Sequence, residues 1–380
     1  MSLSSSLSST PQRADASPNI MELKSMAARG LVSMLDGEKQ QFCHRLVRTE
    51  QGVLREGLSP RYTIMTLLGL RAFEQSGAST SFDAQAIYES FARDTGWIHG
   101  AGDLGLMVWL TAEFAPDRLG RFFHRANLET ALDRYLDARQ ARTTELAWFL
   151  AGLAHAAMES EKTASQVRDL AISTYQRLKL NQGEHGFFGH LAENKSLRGI
   201  LRGRIGSFAD QIYPIYALSK YATAFHVEEA LGPALHCASA ICCAQGALGQ
   251  WWWLYDSHTD RISSRYPVYS VHQHGMAPMG LFALEQATGQ SFKEHIYRGL
   301  RWVYGSNELG VDMRDLGQNV IWRCIRPRNK WTKYWSTAGS LVRSPNDNAS
   351  VGPLEVLFEE RPYESGWLLY AFAPFEGSEI

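Results

Sequence analysis

Acidic side chains stand just ahead of several strongly apolar segments of this chain, in short polar loops. The candidates for catalysis are these acids and one histidine: Asp103, Glu145, Asp210, Glu364 and His272. Two carboxylates flanking a glycosidic bond hydrolyse it, about 5 Å apart for retention and roughly 6.5–9.5 Å apart for inversion. A tyrosine or histidine beside a sugar carboxylate can instead move a proton at the neighbouring carbon. These residue types therefore indicate acid–base chemistry on a sugar.

A second set of side chains near the same segments is suited to holding a substrate. It comprises two arginines, two tyrosines, amides, a histidine and tryptophans: Arg61, Tyr62, Gln211, Tyr213, Trp251, Trp253, Gln273, His274, Trp322, Arg323 and Trp367. Aromatic faces stack on sugar rings or stabilise cations. Since three consecutive tryptophans on an extended segment cannot all face one way, we expect at least one of Trp251–Trp253 to line a cavity.

Asp210 is the strongest single candidate, because it precedes an amide and a proline-containing helix start, where a negative charge is favoured. The alternative is that Asp210 caps the helix or pairs with an arginine of residues 198–204. Capping is also the alternative for Asp103 and Glu145, since acids in a first helical turn are ordinary. For Glu364, capping and catalysis are equally supported.

His272 and His274 lie two residues apart and are also open to more than one interpretation. A metal site would need further ligands, and only His185 and His190 are near in sequence. We therefore expect neither a metal nor a cofactor. One histidine of the pair contacts the substrate or transfers a proton, or both are structural.

The elements that must position these residues alternate along the chain. Six segments are apolar nearly all round and follow the polar loops at 59–62, 102–105, 143–145, 208–214, 272–275 and 363–366. Between them lie segments with one apolar face: 82–93, 128–139, 164–179, 227–244 and 292–303. Buried inner helices alternating with amphipathic outer helices predict an all-α (α/α)6 toroid over residues 20–380 as one domain. The polar loops would then meet at one end.

Two interruptions of this pattern are predicted. Alternating aromatics at Trp251–Tyr255, a turn at 256–261 and an apolar run at 266–271 predict a β-hairpin near 250–271. The segment 305–360 is a long insertion, basic and aromatic, with Arg326, Arg328, Trp331 and Trp335 beside Trp322 and Arg323. It is either a lid over an anionic substrate or a solvated loop.

Two short repeats read Gln-x-x-x-Gly-x-aromatic, from Gln182 to Phe188 and from Gln245 to Trp251. They resemble the QW repeat of the terpenoid cyclase and protein prenyltransferase toroids, in which the glutamine caps an outer helix and ties neighbouring hairpins together. The Asp-x-Asp-Asp run of the cyclases is absent. Gly249-Gln250-Trp251 through His274 is similar to the sugar-cleft segment of six-hairpin glycosidases, polysaccharide lyases and sugar epimerases.

Composition limits the partners. The formal net charge of −1 gives no basic face for nucleic acid, and no apolar run is long enough to cross a membrane. Five scattered cysteines are typical of free thiols in a reducing compartment, so we expect a cytoplasmic protein. Residues 1–19 are polar and serine-rich, which predicts a disordered tail.

These observations together predict a carbohydrate-active enzyme that binds an oligo- or polysaccharide, with uronates among the candidates. Hydrolysis, β-elimination and epimerisation all stay open. A terpenoid cyclase-like enzyme is the first alternative and would need a deep, dry, aromatic pocket with a single acid. A non-enzymatic ligand-binding toroid is the second, and the absence of a close acid pair would favour it.

Overall fold

The computed structural model describes residues 17–135, 142–191, 203–328 and 352–377. Outer and inner helices alternate in pairs: α1 (Ile20–Met34) and α2 (Pro60–Gln75), α3 (Ala84–Phe91) and α4 (Ala101–Phe114), α5–α6 (Leu119–Ala126, Ala131–Tyr135) and α7 (Thr143–Glu159), α8 (Glu161–Lys179) and α9 (Phe208–Phe225), α10 (Leu231–Cys243) and α11 (Ala277–Thr288), α12 (Lys293–Val303) and α13 (Pro362–Phe372). Each inner helix packs on the next, and α13 closes the ring on α2. The predicted (α/α)6 toroid is confirmed.

The first outer helix, α1, was not among the predicted segments. Asn19 caps it, since its side chain accepts a hydrogen bond from the backbone of Glu22 at 3.0 Å. The backbone of Asn19 also donates to the Tyr304 hydroxyl at 2.9 Å, which attaches this end of the chain to α12. The remainder of the predicted tail, residues 1–16, lies outside the described residues.

The first Gln-x-x-x-Gly repeat joins two outer helices. At the end of α8, the side-chain amide of Gln182 donates to the carbonyl oxygens of Gly186 and Pro233, both at 2.9 Å. Pro233 lies in the first turn of α10. The glutamine therefore bonds its own turn and a backbone carbonyl at the start of the next outer helix, which is the tie that the QW resemblance predicts.

The second repeat makes the same two bonds one hairpin later. At the end of α10, Gln245 donates to Gly249 at 3.0 Å and to His295, in the first turn of α12, at 2.9 Å. Gly249 has φ +91°, and a Cβ there would lie 2.2 Å from the carbonyl oxygen of Arg298. Only glycine fits this turn without moving α12.

Short antiparallel strands occupy the loops: β1 (Leu35–Asp36), β2 (Gln41–Thr49), β3 (Gly52–Leu58), β4 (Ile205–Ser207), β5 (Leu254–Asp256), β6 (Ile262–Ser264), β7 (Val268–Tyr269), β8 (Arg314–Asp315), β9 (Val320–Ile321), β10 (Cys324–Pro327), β11 (Leu354–Leu357) and β12 (Glu359–Glu360). Sequence analysis missed β1–β3. β2 pairs with β12, so residues far apart in the chain form one sheet beside α2 and α13.

The predicted hairpin near 250–271 is partly wrong. β5 turns back into β6, but the predicted return strand at 266–271 pairs elsewhere: β7 pairs with β10 from the insertion. The backbone groups of β7 are thus satisfied by a partner some fifty residues away, which local alternation does not reveal. Within the described part of the insertion, β8–β9 and β10–β11 are paired strands rather than irregular loop. Trp331 and Trp335 lie outside the described residues.

Aromatic rings fill the axis of the inner ring. The indole of Trp109 has its centroid 4.4 Å from His155, 5.1 Å from Tyr216 and 5.8 Å from Trp367. All four rings are nearly or fully buried. The barrel is therefore solid below the N-terminal ends of its inner helices.

A directed hydrogen-bond chain lies at the C-terminal ends of the same helices. His155 contacts the Glu113 carboxylate at 3.1 Å and the Tyr216 hydroxyl at 2.8 Å, and the hydroxyls of Tyr216 and Tyr370 lie 2.6 Å apart. Burial lowers the pKa of His155, so the ring is neutral and donates to the carboxylate. Both tyrosine protons then point toward His155.

In the described ranges, none of the helices combines the length and apolar character that a bilayer crossing requires. All five cysteines are free; four are buried and Cys243 is exposed.

Substitution of Gly249 tests the tie between outer helices. Gly249→Ala adds a steric clash to the cost of positive φ, whereas Gly289→Ala, at φ +74° with open space around it, adds only the backbone cost. We expect the free energy of unfolding to fall by about 1 kcal/mol for Gly289→Ala and by about 3 kcal/mol or more for Gly249→Ala. Urea denaturation measures both, and equal losses would contradict the steric argument.

Candidate active site

The first turns of the inner helices meet at one end of the ring, here called the mouth. Asp103, Glu145, Asp210 and Glu364 lie in the first turns of α4, α7, α9 and α13. A single π-helical turn, His272–Met276, leads into α11. Contacts between side chains, described below, link these positions around the mouth. The structure therefore brings together the acids and histidines that the sequence singles out.

Arg61 joins two of the acids. Its Nε and Nη2 donate to Oδ1 of Asp103 at 2.8 and 2.7 Å, and Nη2 also lies 3.5 Å from Oε1 of Glu145. The guanidinium stacks over the ring of Trp148 at 4.9 Å. The second oxygen of Glu145 accepts a hydrogen bond from the backbone of Gly102 at 2.8 Å. Because one nitrogen contacts both carboxylates, they form a close pair.

Exposure separates this pair from the other acids of the mouth. The exposed side-chain fractions are 17% for Glu145, 10% for Asp103, 5% for Glu359, 1% for Asp210 and 0% for Glu364. Asp103 and Glu145 are therefore the more accessible of these acids.

Asp210 has no free oxygen. It accepts hydrogen bonds from the Thr144 hydroxyl at 2.6 Å and from the backbone and hydroxyl of Ser207 at 2.8 and 2.9 Å, completing a capping box. Its remaining contact is Nδ1 of His190 at 3.2 Å. These bonds favour the capping alternative for Asp210 and give it a second role, that of orienting His190.

His190 is a candidate that sequence analysis considered only as a weak metal ligand. Its side chain is 28% exposed, and its Nδ1 faces the Asp210 carboxylate, which only accepts hydrogen bonds. The proton of the neutral ring therefore stays on Nδ1, and the lone pair of Nε2 is left available as a base. No local pattern marks this histidine, because the carboxylate that orients it is twenty residues away.

The two glutamines predicted to bind substrate form hydrogen bonds with backbone groups instead. Gln211 is fully buried, accepts from the backbone of Phe188 at 2.7 Å and donates to the carbonyl of the same residue at 2.8 Å. Gln273 is also fully buried, donates to the Tyr269 carbonyl at 3.1 Å and accepts from Trp251 at 3.4 Å. Both amides stabilise the loops that carry the mouth.

His272 and His274 are sealed under the mouth. They are 3% and 0% exposed, and burial lowers the pKa of each to about 3. Phe208 and Tyr269 cover the ring of His272 at 4.5 and 5.2 Å. Both imidazoles are therefore neutral. No group of three or more His, Cys, Asp or Glu side chains in the described ranges is arranged to hold a metal ion.

Glu364 forms a buried ion pair with Arg323. Burial raises the pKa of Glu364 to about 7, and the Arg323 guanidinium opposes this rise. Arg323 also lies 3.5 Å from Glu359 and 4.8 Å from the ring of Tyr269. Glu364 thus holds Arg323 in the wall of the mouth and is not itself accessible.

Trp322 does not accompany its neighbour Arg323. Its ring packs under the guanidinium of Arg48 at 5.8 Å and edge-on to Phe358 at 5.2 Å, on the side of β2. Successive residues of an extended segment face opposite ways. The structure therefore separates two residues that the sequence placed in one lid cluster.

The tryptophan run divides into two buried rings and one partly exposed ring, so Trp251, predicted to bind substrate, does not reach the surface of the mouth. Trp251 is fully buried against Phe208, with centroids 5.7 Å apart. Trp253 is only half-buried, 5.0 Å from Tyr269 and parallel to His272 at 6.3 Å. Trp253 is the tryptophan of the run that presents a partly accessible ring at the mouth.

The hydroxyl groups of Tyr62 and Tyr213 each accept a hydrogen bond from a neighbouring side chain. Arg361 donates to the Tyr62 hydroxyl at 2.7 Å, and the indole N–H of Trp367 donates to the Tyr213 hydroxyl at 2.9 Å. Burial raises the pKa of Tyr213, so this hydroxyl keeps its proton. Trp367 is fully buried and so lies behind the predicted contact surface rather than in it.

A cavity of about 420 Å³ lies away from the mouth, at the C-terminal ends of α9 and α11. Its walls include Thr223, His226, Glu228 and Leu235. Its walls carry one acid and one histidine among apolar and small residues, which is fewer titratable side chains than the mouth has.

The buried histidines make the free energy of unfolding depend on pH. Between pH 6.5 and about 3 the unfolded chain binds protons that the folded His274 does not, so the free energy of unfolding falls as the pH falls. His274→Gln should make that fall shallower by about 1.4 kcal/mol per pH unit. Urea denaturation at pH 7, 6 and 5 measures the slope. His124→Gln, at an exposed position on α5, is the control and should leave the slope unchanged.

Comparison with known proteins finds no matching family model and no match among curated proteins. Solved structures do match. An unsaturated glucuronyl hydrolase specific for heparin aligns with a TM-score of 0.59 and 15% identity over 94% of this chain and 96% of its own. The unsaturated glucuronyl hydrolase of Bacillus sp. GL1 gives 0.59 and 13% over 94% and 96%. Cellobiose 2-epimerase from Bacillus thermoamylovorans gives 0.61 and 12% over 93% and 98%. These likenesses span both chains and establish the six-hairpin α/α toroid fold.

Proposed function

We propose that this chain is a carbohydrate-active enzyme that binds an oligosaccharide at the mouth and hydrolyses a glycosidic bond. The observation that carries the proposal is the accessible carboxylate pair, Asp103 and Glu145, bridged by Arg61. A close pair of carboxylates is the minimum that most glycosidases require. The names of the matched structures, which are glucuronyl hydrolases and a sugar epimerase, support the same class.

Glu145 is the proposed acid–base residue, because it is the most exposed of these acids. Only one of its oxygens accepts a hydrogen bond from a backbone N–H. Glu145 would give a proton to the leaving glycosidic oxygen as the glycosidic bond breaks; water then adds its hydroxyl group to the sugar and returns its proton to Glu145. Asp103 holds the Arg61 guanidinium in place. The half-buried ring of Trp253 is the proposed stacking surface for a sugar ring.

An anionic sugar fits the mouth. The side chain of Arg61 is 36% exposed, so its guanidinium retains contact with solvent despite its carboxylate partners. A uronate carboxylate would form charge-assisted hydrogen bonds with such groups. We therefore include uronate-bearing oligosaccharides as the first substrate class to test. A cytoplasmic location belongs to the same proposal and is supported by the five free cysteines.

The alternatives considered from the sequence fit less well. A terpenoid cyclase needs a deep apolar cavity, but the axis below the mouth is filled by Trp109 and its neighbours. A binding protein without catalysis would not need the close pair of Asp103 and Glu145.

Epimerisation or β-elimination is the second candidate, and His190 is the observation that favours it. A histidine oriented by a buried aspartate can remove a proton from carbon beside a carbonyl or carboxyl group. His272 and His274 are unsuited to that task because they are buried and neutral. Loss of turnover in His190→Gln with retention in Glu145→Gln would favour this second candidate.

A substrate screen tests the class of reaction. We expect the protein to release reducing ends from unsaturated or saturated uronyl disaccharides, and to leave cellobiose uncleaved and unepimerised. Proton NMR of each mixture separates hydrolysis, elimination and epimerisation by their products. Conversion of cellobiose to its epimer, with no action on uronyl sugars, would overturn the hydrolase proposal.

Glu145→Gln should lower kcat/KM by about 10²–10⁴-fold, because it removes proton transfer while keeping the hydrogen bond to the Gly102 backbone. Glu161→Gln is the matched control, since Glu161 is an exposed first-turn acid on the outer helix α8. It should keep wild-type kcat and KM. An unchanged kcat in Glu145→Gln would rule out the role given to this residue.

A further inference from the structure

Two tyrosine hydroxyls near Arg61 form hydrogen bonds with groups that can donate a hydrogen bond but cannot accept one. Tyr213 is bonded by the indole N–H of Trp367 at 2.9 Å, and Tyr62 by the guanidinium of Arg361 at 2.7 Å. An indole nitrogen and a guanidinium have no lone pair to offer. Each tyrosine oxygen is therefore the acceptor, and the proton of each hydroxyl must be directed elsewhere.

Both hydroxyls belong to the surroundings of Arg61. The ring of Tyr213 lies edge-on to Trp148 at 5.2 Å, and the Arg61 guanidinium covers that same indole at 4.9 Å. Tyr62 follows Arg61 in the chain and packs on Tyr363, with centroids 4.7 Å apart. In the part of the chain that the structure describes, neither hydroxyl donates to a protein acceptor. Tyr62 and Tyr213 thus belong to the group of side chains packed around Arg61 and Trp148, on the side of α2 and α9.

We propose that Tyr62 and Tyr213 donate hydrogen bonds to the substrate, and that Arg361 and Trp367 are positioning residues that set this direction. The inference rests on the proposed function and adds a specificity rule to it. The group of the sugar that faces the tyrosines must accept two hydrogen bonds, one from each hydroxyl. A carboxylate meets that condition and a neutral hydroxymethyl group at the same position meets it only in part.

Trp367 acts through Tyr213 alone. It is fully buried and held on two sides, by Trp109 at 5.8 Å and edge-on by Tyr370 at 5.8 Å. Its N–H therefore points in a fixed direction, and removing that one donor would free the Tyr213 hydroxyl to turn inward.

The test uses isothermal titration calorimetry with two probes, a β-linked glucuronyl-glucose disaccharide and cellobiose, on the full chain. Every protein in the comparison, including the one called wild type, carries Glu145→Gln so that the probe is not hydrolysed during the titration. The variants are Tyr213→Phe, Trp367→Phe and the two combined. For the glucuronyl probe we expect Kd to rise about ten- to hundred-fold in Tyr213→Phe, and about five-fold in Trp367→Phe. For cellobiose both changes should stay below about three-fold. Because Trp367 acts through Tyr213, the combined variant should bind no worse than Tyr213→Phe.

Trp302→Phe is the matched control. Trp302 is a fully buried indole on α12 whose N–H donates to Glu308 at 2.8 Å, so the substitution deletes the same atom away from the mouth. Its affinity for the glucuronyl probe should equal that of the wild type. If Trp367→Phe does not fold, Tyr62→Phe and Arg361→Met repeat the comparison at the second hydroxyl.

Three outcomes overturn the inference. If Trp367→Phe binds the glucuronyl probe as tightly as the wild type does, Trp367 has no positioning role. The proposed function is unaffected by that result. Equal losses for both probes in Tyr213→Phe remove the specificity rule. Failure of the wild type to bind either probe removes the sugar site itself, and the proposed function with it.

Discussion

The whole site depends on one constraint, the shared direction of the six inner helices. Each helix begins with backbone N–H groups that have no partner in the helix, and carboxylates satisfy them. The ring collects these first turns at the mouth, so capping and chemistry compete for the same acids. Asp210 is fully used for capping and for His190. Glu145 accepts a hydrogen bond from an N–H of the neighbouring helix with one oxygen, and its other oxygen lies 3.5 Å from Arg61 on the more exposed side of the mouth.

The walls of the mouth differ in their electrostatics. On the side of α11 and α13, the histidines are neutral and the Glu364–Arg323 pair is buried, so the accessible charge described there is that of Arg361. A buried ion pair contributes little net stability, but it fixes the arrangement of its members. On the side of α2, α4 and α7, charged groups remain partly exposed. The reaction proposed above belongs to the second side, where the accessible acids lie.

Much of this fold could be predicted from the sequence, because the inner helices are apolar all round and the outer ones on one face. The two glutamine ties were also predictable, since Gln182 and Gln245 recur with the same glycine spacing. The strands were harder. β2 pairs with β12 and β7 with β10, and these partners are remote in sequence. The mouth acids were found by position, but their roles were not. Whether Asp210 reacts or caps depends on Thr144 and His190, and no spacing rule reports such contacts.

The solid core beneath the mouth restricts how a long polymer could be handled. Among the described residues, Trp109, Trp367 and Tyr216 fill the axis, so the mouth does not continue through these rings to the other face. Under the proposed function, a sugar chain would enter and leave on the same side. Such a closed end favours attack at the terminus of a chain, one residue at a time, over cleavage within it.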